Sequence, residues 1–83
     1  MASETEIKAP PIDQLASEMV VTLCMAGLAY LAQDDVDSAV LACDVAGSAF
    51  ERISSRLGPD ERTSLGELVT QLRLSIVRKR GSS

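Results

Sequence analysis

The stretch from Met19 to Ala32, MVVTLCMAGLAYLA, constrains this chain more than any other part of it. Thirteen of its fourteen residues are apolar or glycine, and Thr22 is its one polar side chain. A helix that is apolar on nearly every face has to be covered on nearly every face. The rest of the chain offers little cover. Eighty-three residues make one small domain, burying about 60–65% of the surface its unfolded form exposes. Its core material is slight as well, with ten alanines, one Phe, one Tyr and no Trp. Helices built this way must approach closely to fill space. Domains of this size often add a disulfide, a metal or a second copy of themselves. A second copy is the expectation here, with a dimer favoured.

Spacing predicts an all-α fold, a three-helix antiparallel bundle with helices at about 12–32, 36–57 and 59–79. Residues 1–11 read as a mobile polar tail, 12–79 as the single helical domain and 80–83 as a frayed end. Pro10 and Pro11 hold the backbone extended and start the first helix. That helix carries its polar residues, Asp13, Gln14, Ser17 and Glu18, in its first two turns. Gln33, Asp34 and Asp35 break the pattern, and either aspartate can cap the second helix. Val36, Ala39 or Val40, Cys43, Ala46 or Gly47, Phe50, Ile53 and Leu57 then recur at three- and four-residue steps, the pattern of a bundle seam.

Leu57-Gly58-Pro59-Asp60-Glu61 is the sharpest punctuation in the chain. Gly58 suits a helix end, Pro59 a first turn, and the two acids the positive end of a helix dipole. Leu65, Leu68, Val69, Leu72 and Ile76 form the buried stripe of the third helix, with Leu74 and Val77 expected to widen it. Short connections make neighbours antiparallel. Levelling from the loop centres sets Met19 near Phe50, Leu23 near Ala46, Gly27 near Ala42, Phe50 near Gly66, and Asp44 opposite Arg73.

At Asp44 and again from Leu57 the chain resembles a family of small bacterial proteins, the domain-of-unknown-function family 1844. The resemblance rests on Ala39, Cys43, Asp44 and Val45, then Leu57, Gly58, Pro59, Asp60 and Glu61, then Leu72, Arg73, Leu74, Ile76 and Val77. Gly58 stands where the family has threonine, and Ser55-Arg56 where it has a glycine and an asparagine. The matching spacing spans residues 39–77, about half of the chain. It implies a helical fold and no activity, since the family is uncharacterised, and it favours pairing of Asp44 with Arg73.

Chemistry is poorly provided for. Histidine is absent, which removes the commonest general base near neutral pH and the commonest metal ligand. Cys24 and Cys43 lie in separate apolar runs without C-x-x-C spacing and read as buried reduced thiols; a disulfide between them would need an oxidising compartment. Gly27, Gly47 and Gly66 are isolated within helices and form no phosphate loop. The pairs Asp34-Asp35 and Asp60-Glu61 are read as caps and first-turn charges rather than metal ligands. The second and third helices do not make a DNA reader, because the third opens with Pro59, Asp60 and Glu61 where a recognition helix presents bases or amides. No catalysis, cofactor or nucleic-acid partner is expected.

Net charge is −4, and it is unevenly placed. Between Ala9 and Glu51 stand seven acids and no base, while Arg52 onward holds seven bases against three acids. Helix dipoles account for part of this, with Asp34, Asp35 and Asp37 at a helix start and Arg78, Lys79 and Arg80 at a helix end. The rest would suit head-to-tail or antiparallel pairing of copies. Residues 1–11 lack the basic start and apolar run of a secretory signal. The fourteen-residue apolar run is itself shorter than the about 17–25 residues a bilayer demands. The expectation is a cytoplasmic, non-catalytic association module with no membrane span. Its interface is placed at Met25, Leu28, Tyr30 and Leu31 of the first helix with Leu74 and Val77 of the third. An adaptor for another protein's helix, or a binder of small apolar ligands or lipid, are the alternatives.

Overall fold

In a computed structural model, which describes residues 8–81, the chain is an all-α bundle of three helices. Helix α1 spans Ile12–Ala32, α2 Val36–Ile53 and α3 Pro59–Gly81, with a 3-10 turn at Ser54–Arg56. The expected tail falls mostly on residues 1–7, outside the described residues; Lys8 to Pro11 are exposed and non-helical. Pro11 precedes the first turn, and its carbonyl accepts the Leu15 amide at 3.0 Å.

Each helix gives one stripe to the core. From α1 come Val20, Cys24 and Leu31, from α2 Ala39, Cys43, Ala46 and Ile53, and from α3 Leu65, Val69, Leu72 and Ile76. Leu57 joins them from the α2–α3 connection. The most extensive helix contact runs between α1 and α2, where alanines and cysteines let the backbones come close. Leu72 is fully buried. It enters the notch left by Gly27, so that a Cβ there would meet its methyl carbons at 2.7 and 2.9 Å. The notch that levelling assigns to Ala42 of α2 is thus filled from α3. Gly66 meets Phe50 as expected: a Cβ added there would sit 3.4 Å from Phe50 Cζ, an ordinary contact.

The turn after α1 is built on a residue that spacing treats as a cap. Asp34 takes φ 62°, and its amide donates to the Leu31 carbonyl at 3.0 Å while the Asp35 amide donates to Tyr30 at 2.8 Å. This paired closure usually recruits glycine at the left-handed position, though aspartate tolerates it better than most residues. The cap of α2 belongs to Asp35 alone, whose Oδ1 accepts the Ser38 amide at 3.2 Å.

Two helix ends and one backbone conformation differ from the sequence reading. Helix α2 stops at Ile53 and tightens into the 3-10 turn, because the backbone must next become extended at Leu57, φ −90° and ψ 149°. Gly58 has no positive φ; as the residue before Pro59 it is held towards extended conformations. Helix α3 continues through Arg80 to Gly81 rather than fraying at residue 80.

Arg62 secures this connection, a role that spacing does not reveal. Its Nε donates to the Ser54 carbonyl at 2.9 Å and its Nη2 to the Leu57 carbonyl at 3.0 Å. One guanidinium thus satisfies two carbonyls freed where α2 ends.

Gly27 and Gly66 make opposite predictions. Gly27→Ala should destabilise the fold by about 1–3 kcal/mol, because the buried Leu72 has nowhere to swing. Gly66→Ala should leave stability unchanged or raised, since helix propensity favours Ala by about 1 kcal/mol. Urea unfolding of the two variants checks both, and equal effects would mean that the α1–α3 contact is misplaced.

Candidate association surface

Helix α1 carries two apolar seams, not one. The inward seam follows Ser17, Val20, Cys24, Gly27 and Leu31, all buried. Ser17 remains there by donating its hydroxyl to the Asp13 carbonyl at 2.8 Å. The outward seam follows Ile12, Leu15, Met19, Thr22, Ala26 and Ala29, at alternating steps of three and four. Such steps keep a helix face in line over several turns. Ile12, Leu15 and Met19 are 56%, 44% and 48% exposed, and Met25, beside Thr22 and Ala29, is 58% exposed. Thr22 and Ala29 are open to solvent and Ala26 is half-buried. Soluble helices usually turn charge outward on this side. Glu18 is the nearest charge that α1 offers.

This surface differs from the one expected at Met25, Leu28, Tyr30, Leu31, Leu74 and Val77. Leu31 is 7% exposed and belongs to the core. Leu28 and Tyr30 flank the core stripe from opposite sides of α1, because two residues advance a helix by about 200°. Leu74 and Val77 do not widen the buried stripe of α3, being 48% and 58% exposed. Leu74 lies two residues from both Leu72 and Ile76, on the far side of the helix. The outward faces of different helices in a bundle point apart, so Leu74 shares no patch with Met25. Met25 and Tyr30 border the outward seam from its two sides, Met25 beside Thr22 and Ala29 and Tyr30 one turn after Ala26. Taking the stretch as uniformly apolar hides the six seam positions. Their alternating spacing from Ile12 is the signal that finds them.

Asp44 and Arg73 are not paired. Asp44 is exposed, and Arg73 lays its guanidinium over Gly47, where an added Cβ would meet Nη2 at 3.3 Å. The missing side chain at Gly47 leaves a seat that draws Arg73 across α2. Around it lies an open groove of about 580 Å³ between α2 and α3, with Phe50, Gly66 and Leu74 on its apolar parts and Arg62, Glu51 and Glu67 at its polar ones. Of the turn residues, Leu57 is buried, whereas Gly58, Pro59, Asp60 and Glu61 are exposed and serve as a connection and helix start.

The acidic and basic parts of the chain meet within the molecule. Lys79 near the end of α3 forms an ion pair with Asp34 in the α1–α2 turn. The hydrogen bond from Lys79, and then its charge, hold the Asp34 carboxyl below the usual carboxylate range. In the core, Cys24 and Cys43 are free thiols. Burial pushes the Cys24 thiol up, and the neighbouring Cys43 acts in the same direction. Such thiols are poor nucleophiles and act as packing atoms. Among the described residues no group of three or more His, Cys, Asp or Glu gathers where a metal could be held.

By length and composition alone, the 21 residues of α1 are enough to cross a membrane. The fourteen-residue run understates this, because the helix extends back to Ile12. No family model, curated protein or solved structure matches the chain.

The Asp34 contact predicts a pH dependence. A carboxyl whose folded pKa lies below its unfolded value contributes stability above that value, and loses it as pH falls through the folded pKa. Asp34→Asn keeps a residue suited to positive φ and removes the carboxylate. The stability difference between parent and variant should therefore be constant near neutrality and shift against the parent below about pH 4. Thermal melts from pH 7 to pH 2 read this directly. A difference independent of pH would remove the ion pair from the account.

Proposed function

We propose that this protein is a non-catalytic association module, and that it assembles as a homodimer through the outward face of α1. The observation that carries the reading is the seam of Ile12, Leu15 and Met19, which leaves large apolar side chains about half exposed along a helix with little charge on that side. Contiguous apolar surface of this kind marks an interaction site. The resemblance to an uncharacterised bacterial family is consistent with a small helical protein and adds no activity. A cytoplasmic setting suits two buried free thiols.

Light scattering and sedimentation test the proposal. The parent should have about twice the protomer mass of 8.8 kDa. Met19→Glu should shift it to a monomer with unchanged helicity, because a carboxylate at a half-exposed position is harmless in the monomer and costly within an apolar interface. A parent that stays monomeric at high concentration, or a variant that dimerises as well as the parent, contradicts the proposal. A monomer that captures lipid vesicles would direct the same face to a membrane instead.

A further inference from the structure

The order of residue sizes along the outward seam of α1 also specifies how two copies meet. We infer that they pair through antiparallel α1 helices, with Ile12 against Ala29, Leu15 against Ala26, and Met19 against Thr22 of the second copy. This deepens the proposal of self-association and rests on it.

The first three seam positions, Ile12, Leu15 and Met19, are large, and the last three, Thr22, Ala26 and Ala29, are small. In a parallel pair each position meets itself. Three large residues would then crowd one half of the contact, and three small ones would leave the other half hollow. Reversing one helix sets every large side chain against a small one, as close packing demands. The twofold axis then passes between Met19 and Thr22, and all six positions are used. Sliding the register by one heptad in either direction leaves a third of the seam unmatched. The alternation of steps agrees with this, since antiparallel helices pack the two kinds of seam position against each other, as these pairs do.

Charge points the same way. Asp13 is the acid of the first turn of α1, Glu18 is the only other charge on the helix, and the last turn carries no base. A parallel pair would gather both acidic ends and align the two helix dipoles. An antiparallel pair brings each Glu18 alongside the uncharged second half of its partner helix and opposes the dipoles. Thr22 lies as near the axis as Met19, and its hydroxyl can bond there to its own helix backbone.

A size exchange tests the geometry on the full chain. Leu15→Ala should open a hole opposite Ala26 of the second copy, and Ala26→Leu should overfill it. Each alone should weaken dimerisation by about ten-fold or more. The double variant L15A/A26L restores one large and one small residue at every antiparallel pair, and its dimer affinity should return to within a few-fold of the parent. In a parallel pair Leu15→Ala would relieve the crowded half and Ala26→Leu would fill the hollow one, so neither single variant would weaken the dimer and the double variant would have no loss to restore. A matching exchange, I12A/A29I, repeats the test away from the α1–α2 contact, and circular dichroism verifies that each protomer stays folded. Sedimentation equilibrium gives the affinities. A parent that never dimerises overturns the self-association reading itself. Parent dimers whose double variants are not rescued overturn only the antiparallel register.

Discussion

The fold depends on close approach between α1 and α2, made possible by side chains too small to hold helices apart. Ala39, Ala42 and Ala46 on α2 and Ser17, Cys24 and Gly27 on α1 are all buried. Their gain comes from many short van der Waals contacts rather than from large transferred areas. A two-helix contact of this kind leaves gaps, and α3 closes them with larger residues. Leu72 in the notch of Gly27 is the clearest instance. The same economy has a consequence for the surface. With few bulky residues in the core, much of the large apolar material of α1 is left facing outward.

Polar interactions fix the ends of the bundle rather than its centre. Asp34 and Asp35 divide the work of one turn, the first closing α1 at positive φ and the second capping α2. Lys79 ties that turn to the end of α3. At the opposite end Arg62 holds the carbonyls of Ser54 and Leu57. These contacts set loop direction and helix register. They also use within the chain part of the charge asymmetry that the sequence alone would assign to a partner.

The helices and most of the core are legible in the sequence, because stripes such as Leu65, Val69, Leu72 and Ile76 follow from spacing alone. The contact of Gly66 with Phe50 follows from levelling as well. Gly27 with Leu72 does not, since levelling neighbours in sequence cannot say where α3 settles against α1. Pairing of Asp44 with Arg73 fails for a related reason: a long side chain reaches for the nearest seat, and the absent side chain at Gly47 provides it. The surface is the least legible part. A stretch apolar on every side hides which residues turn inward, and Leu31 and Met25 part company once the core side is known.

The central claim is that the outward seam of α1 is covered by a second copy. The most direct measurement is the broadening of side-chain methyl signals by a soluble paramagnetic agent in the unaltered protein. The account predicts that the Met19 methyl is shielded at concentrations that favour assembly, while the Leu74 and Val77 methyls, exposed on α3, are broadened. Equal broadening of Met19 and Leu74 at every concentration would contradict it.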